Sequence, residues 1–150
     1  MTERPDPVPF ETTLMVRDTC LCLAAQRAAR ALARRFDEAL RAVELTNGQF
    51  SLLMALNRPQ PPPMGPVAAL LAMDRTTLTA ALKVLERRGL VKIAVDPDDR
   101  RGRRLSLTAK GRRVLAAALP IWKREHREIE KDLADADALR RGLAVLAGVA

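Results

Sequence analysis

A mainly α-helical fold carrying one small β-hairpin is the class this sequence predicts, and three features predict it. Apolar residues recur at helical spacing through most of the chain, and the period falls to two only around Val91 to Val95 and Arg104 to Thr108. Side chains able to cap a helix stand just ahead of several helical runs. The 150 residues suffice for a single domain with its own core, and 48% hydrophobic with 29% charged residues is a globular mix, not a disordered one.

From about Thr13 to Val43 the chain is free of Gly and Pro and rich in Ala, Leu and Arg, which predicts one long helix. Leu21, Ala24, Ala28, Ala31, Leu32, Ala39 and Leu40 recur at helical spacing, with Arg27, Arg30 and Arg34 on another side. A helix of roughly 30 residues is about 45 Å long. That is more than a domain of this size covers, so part of it is expected to pack on a second subunit. Thr46-Asn47-Gly48-Gln49 has the form of a capping box, with Leu45 and Phe50 placed for a hydrophobic staple, and the second helix runs to about Asn57. Arg58-Pro59-Gln60-Pro61-Pro62-Pro63 then forces a stiff loop. A short third helix is expected from Gly65 and Pro66, with proline at its first position, to near Ala72.

Asp74 can cap the following helix, expected from Arg75 to Arg88, and Gly89 supplies a left-handed stop. The two alternating stretches come next, joined by the polar turn Asp96-Pro97-Asp98-Asp99-Arg100-Arg101-Gly102. Thr108 can cap a helix reaching about Leu133, bent at Pro120. A last helix, from about Asp135 to Leu146, aligns Leu139, Leu143 and Leu146 along one side.

Charge narrows the function. Residues 74 to 113 hold 12 lysines and arginines against 5 acids, so +7 of the whole-chain +8 is concentrated there. A charge run is commonly just a solvated face, but here it coincides with two short helices, a tight turn and a hairpin with a basic tip. Together these describe a winged helix-turn-helix lobe. On the helix after Asp74, Leu78, Ala81, Leu82 and Leu85 make a buried stripe, with Thr76, Ala80, Lys83 and Arg87 opposite and Thr79 on the flank. Short hydroxyls and a methyl suit base edges in a major groove, while Arg75, Lys83 and Arg87 can reach guanine or phosphate. The wing places Arg100, Arg101, Arg103 and Arg104 on a thin element suited to a narrow minor groove. Asp99, two residues before Arg101, can hold that guanidinium in one rotamer.

The run Asp96-Pro97-Asp98-Asp99-Arg100-Arg101-Gly102-Arg103-Arg104-Leu105-Ser106-Leu107-Thr108-Ala109-Lys110-Gly111 closely resembles the wing signature of the multiple-antibiotic-resistance regulator (MarR) family. Leu82-x-x-Leu85-Glu86-Arg87-Arg88-Gly89-Leu90-Val91 is similar to that family's recognition-helix exit. The resemblance covers about Asp18 to Leu146. It implies a homodimer joined by helices within residues 14–43 and 109–147 around a winged helix-turn-helix lobe at 46–108. It also implies a repressor of transcription that binds double-stranded DNA at an inverted repeat and is released by a small ligand or an oxidant. Asp99 and Arg101 match the family's wing pair, and Thr76, Thr77 and Thr79 its groove-facing start. One departure stands out: Ala72 occupies a turn position often held by Gly, which predicts a slightly different turn geometry.

Sensing residues carry weaker signals. Counted from Thr46, Cys22 stands where the family's organic-hydroperoxide-sensing branch carries a reactive cysteine, but that branch uses tyrosines and this chain has none. Cys20 and Cys22 would point about 200° apart on a continuous helix, unable to bridge each other; inert packing is the alternative. Phe36, Phe50, Met54, Trp122 and Arg17 are candidate lining for an effector pocket, or simply core. His126, the single histidine, lies in a charged stretch and reads as part of a solvated face. No catalytic constellation, cofactor loop or metal-ligand set is present, so no enzyme, cofactor or metal is expected. No run of 18 apolar residues exists, and the N-terminus lacks the pattern of a signal peptide, which together predict a cytoplasmic location. Two other functions fit the same charge pattern: a protein-interaction module whose basic wing meets an acidic partner, and a non-specific architectural DNA binder.

Overall fold

The structure, a computed structural model, describes residues 7–149 and divides into two compact units, one up to Arg35 and one from Phe36 onward. The first unit holds α1 (Phe10–Thr19) and most of α2 (Leu21–Leu40). The single long helix expected from the sequence is therefore interrupted, with Cys20 extended at φ −73° and ψ 108°. Asp18, Thr19 and Cys20 are all weak helix formers. The Thr19 hydroxyl donates back to the Met15 carbonyl (2.8 Å), and the Cys20 sulfur accepts the Leu23 amide (3.4 Å), capping the start of α2 from outside it.

The second unit begins with the last turn of α2, followed by a 3-10 turn at Arg41–Val43 that ends on Glu44 in the left-handed region (φ 56°). Helix α3 (Asn47–Leu56) starts on the expected capping box, with the Thr46 hydroxyl accepting the Gln49 amide (3.2 Å) and the Gln49 side chain accepting the Thr46 amide (3.1 Å). Asp37 adds a cap that sequence spacing did not reveal: its Oδ1 accepts the Asn47 amide (2.7 Å) and side chain (2.8 Å). Those bonds, the backbone one foremost, hold its carboxyl below the usual range.

After the proline loop, α4 (Met64–Leu70) begins one residue earlier than expected, so Pro66 sits at its third position, where a missing amide proton is still harmless. Then come α5 (Arg75–Arg87), β1 (Val91–Val95) and β2 (Arg103–Leu107), antiparallel with Val91 opposite Leu107 and Val95 opposite Arg103. Helix α6 (Ala109–Glu130) runs on through Pro120 and stops short of the expected Leu133. Thr108 caps it through the Gly111 amide (2.9 Å), and Asp135 caps α7 (Ala136–Ala147) through the Ala138 amide (2.8 Å).

The core lies where α3, α4, α5 and β2 meet: Leu40, Leu52, Leu53, Val67, Leu78, Leu82, Leu85, Leu90 and Leu105 are fully buried, with Leu115 and Ala118 of α6 joining them. Each buried leucine is worth roughly 1.5–3 kcal/mol. This cluster is what holds α5 and the hairpin as one rigid lobe.

Candidate nucleic-acid interface

The turn between α4 and α5 closes through the Ala72 amide to the Ala69 carbonyl (3.2 Å) and the Met73 amide to the Ala68 carbonyl (2.9 Å). Ala72 is left-handed at φ 51°. Alanine thus takes a conformation that glycine enters without strain, at a cost of about 1 kcal/mol. Asp74 then caps α5, its Oδ1 on the Thr77 amide and its Oδ2 on the Thr77 hydroxyl, both at 2.8 Å. These bonds, the amide first, keep the Asp74 carboxyl below its ordinary range. Thr77, one of the groove-facing residues implied by the resemblance, is therefore held in the cap.

Burying Leu78, Leu82 and Leu85 against the core turns the other side of α5 outward, and Arg75, Thr76, Thr79, Ala80, Lys83 and Arg87 are all exposed. The Thr79 hydroxyl donates to the Arg75 carbonyl (2.7 Å), which leaves its oxygen facing out as an acceptor. Arg88, which sequence patterning did not single out, fixes the exit of this helix: its guanidinium donates to the Glu44 carbonyl (2.7 Å) and to the Gln49 Oε1 (3.2 Å). One side chain thus ties the end of α5 to the left-handed turn before α3.

The hairpin leaves the lobe beside α5. Its base is held by the Thr108 hydroxyl donating to the Gly89 carbonyl (2.6 Å) and the Lys110 ammonium donating to the Arg88 carbonyl (2.9 Å). At the tip, the Asp99 carboxylate accepts the Arg101 backbone amide (3.0 Å), and the Gly102 amide donates to the Asp99 carbonyl (2.8 Å). The expected fork with the Arg101 guanidinium is not formed. Asp99 shapes the turn instead, because a carboxylate two residues ahead reaches the amide more readily than the far end of an arginine. Arg100, Arg101 and Arg103 are exposed around that turn. Arg104 is not: it pairs with Asp96 where the strands meet the tip turn (2.8 Å).

The candidate sensing residues separate. Cys20 sits at the break between α1 and α2 and Cys22 in the first turn of α2, so the two do not share one continuous helix; Cys22 is exposed, with the Gln26 side-chain amide 3.0 Å from its sulfur. Arg17 pairs with Asp18 (2.6 Å). In the second unit, Phe50, Met54 and Trp122 line an apolar cavity of about 400 Å³ with Ser51, Ala55, Leu70, Leu71 and Leu119. Phe36 does not line it and is buried in the core.

His126 overturns its expected place on a solvated face. It is half-buried, with its ring centroid 4.2 Å from that of Trp122 and 5.0 Å from that of Phe36. Helical spacing from Leu115 and Ala118 through Trp122 carried that signal, masked by the charged neighbours of His126. Burial, and then the charge of Arg140, lowers its pKa from the ordinary 6.5. As pH falls through 6.5 the unfolded chain takes the proton first, so stability declines from there down to the lower folded pKa. His126→Gln is expected to flatten the stability profile over this window, measured by urea unfolding at a series of pH values; an unchanged slope would assign the pH dependence elsewhere.

The MarR family profile matches residues 44–102, from the left-handed turn to the wing tip. The transcriptional regulator HosA of Escherichia coli O111:H- is 40% identical over 80 residues, 52% of this chain and 58% of HosA, so the chain spans little more than half of that relative. The Mycobacterium tuberculosis transcriptional regulator MosR, solved in complex with DNA, is 40% identical, with 86% of this chain and 94% of MosR covered at a TM-score of 0.81. The transcriptional repressor CouR, solved on a 23-mer DNA duplex, is 31% identical, with 89% and 94% covered at a TM-score of 0.74. A profile that matches the helix-turn-helix and wing, and a structural relative matched over nearly its whole length, lead to one conclusion: the chain belongs to the MarR family.

Proposed function

We propose that the protein is a cytoplasmic, sequence-specific DNA-binding transcription regulator, a repressor that binds an inverted repeat as a homodimer and is released by a small ligand or an oxidant. One observation carries the DNA reading. Arg75, Lys83, Arg87, Arg100, Arg101 and Arg103 share one lobe, all are exposed, and none forms an ion pair among the described residues. Elsewhere cations do pair, as Arg17 does with Asp18 and Lys131 with Glu128. Six unpaired cations beside a row of hydroxyls suit a phosphate backbone flanking base edges. MosR and CouR, both solved on DNA, support the same reading. The effector arm draws on the apolar cavity, and the oxidant arm on exposed Cys22 beside the helix break.

Selection from genomic fragments is expected to recover an inverted repeat with half-sites roughly 34 Å apart. With ~8 phosphate contacts, a salt titration of that complex should give a log–log slope near −7. Tight capture of an acidic protein with no preferred DNA sequence would overturn the reading in favour of an interaction module. Hydrogen peroxide added to the complex tests the oxidant arm: release that Cys22→Ser abolishes supports it, and release unaffected by that change removes Cys22 from the mechanism.

A further inference from the structure

Asp96 is a buried charged residue, 7% exposed, where β1 gives way to the tip turn of the wing. Its Oδ1 accepts the Asp98 amide (2.9 Å), opening the tip turn, and its Oδ2 meets the Arg104 Nε at 2.8 Å. Arg104 reaches further, donating to the Pro61 carbonyl (3.3 Å) and bridging Pro63 through its backbone, while the next amide, Leu105, donates to the Pro62 carbonyl (3.0 Å). Pro63 is in turn the residue that starts α4. A continuous chain of bonds therefore runs from the wing tip through Asp96 and Arg104 to the stiff segment that leads into the helix-turn-helix.

We propose that the Asp96–Arg104 pair is a positioning device that sets the direction of the wing, and with it the reach of Arg100, Arg101 and Arg103 toward DNA; this rests on the DNA-binding reading above. A hairpin of two five-residue strands has little stiffness of its own. A buried ion pair is a poor source of stability, since desolvation consumes most of its Coulomb gain. What it does supply is one geometry. By holding the Arg104 guanidinium in one rotamer, the pair keeps it on the Pro61 carbonyl, and swinging the wing away would break that bond together with the one from the Leu105 amide to the Pro62 carbonyl.

The sign of one substitution separates this from simple charge. Asp96→Asn removes a negative charge near a polyanion, so an electrostatic footprint alone makes binding tighter. In the positioning role the new amide offers one acceptor where the carboxylate offered two, so it cannot serve both the Asp98 amide and the Arg104 guanidinium, and the wing is freed. The expected result is affinity for the selected operator weaker by about tenfold, with the salt slope shallower by roughly 2–4 as wing contacts on both subunits are lost. A partly unfolded sample would lose active molecules but keep its slope, so the slope is the readout that distinguishes the two. The double change Asp96→Asn with Arg104→Gln restores a matched donor and acceptor and is expected to recover much of the slope despite having one cation fewer. Equal or tighter binding by Asp96→Asn, with an unchanged slope, overturns the proposal. Should that variant fail to fold, Arg104→Lys, which keeps the charge but loses the fork, carries the same measurement and the same two outcomes. Failure of the wild-type protein to select any site would instead strike the DNA-binding reading itself.

Discussion

Leu143→Asp is expected to convert the protein to a monomer and to abolish specific operator binding in the same step. Leu139, Leu143 and Leu146 lie along one side of α7, and Leu143 is 47% exposed in the single chain, with Val145 and Val149 exposed nearby. In the homodimer proposed above, an exposed apolar row of this kind suits the surface between the subunits. Two-fold pairing would cover it and set two recognition helices at matching half-sites. A carboxylate placed in such an interface costs at least ~2 kcal/mol per subunit. Removing the chain after Asp135 should have the same outcome. Sedimentation and DNA titration on one sample decide the matter: a folded Leu143→Asp dimer, or a monomer that keeps native affinity for full sites, shows that α7 does not join the subunits.

Gly111→Ala is expected to be the most destabilising single methyl addition on the lobe. A Cβ at Gly111 would lie 2.1 Å from the Leu90 carbonyl oxygen and 3.0 Å from its carbon, and that carbonyl also accepts the Thr108 amide (3.1 Å). The obstacle is backbone, so no rotamer change relieves it. The start of α6 would have to move away from the base of the hairpin, at a cost of about 3 kcal/mol, or roughly 10 °C in Tm. Gly48→Ala is the control, since a Cβ there meets nothing within 4 Å. Thermal unfolding of the two variants checks this; equal midpoints would show that the contact yields easily.

Local chemistry in the chain was legible where it acts over a few residues. Thr46 with Gln49, Asp74 and Thr108 all cap helices as their side chains suggest, because an oxygen three residues ahead of an orphan amide needs no tertiary help. The hairpin and its exposed arginines followed from the period-two pattern in the same way. What escaped was non-local or atypical. The break at Cys20 uses a sulfur cap, which propensity does not register. Asp96 finds Arg104 across the hairpin, eight positions on, and Arg88 finds Glu44 across the core; neither partner can be named before the fold is known. Asp99 bonds the backbone amide of Arg101 and not its guanidinium, since spacing alone does not tell one from the other at the same residue.

The proline segment has a further consequence, for behaviour in a crowded cell. A protruding two-stranded ribbon offers unpaired backbone edges that another chain can extend into a larger sheet. Along β2 that opening is shut: the Pro62 carbonyl accepts the Leu105 amide, and Pro61, Pro62 and Pro63 have no amide protons to present on their outer side. A second wing approaching from this direction would find acceptors without donors. Self-templated growth of β-structure therefore stops at the lobe's own loop, and a thin element free to probe DNA remains a poor seed for aggregation on that side.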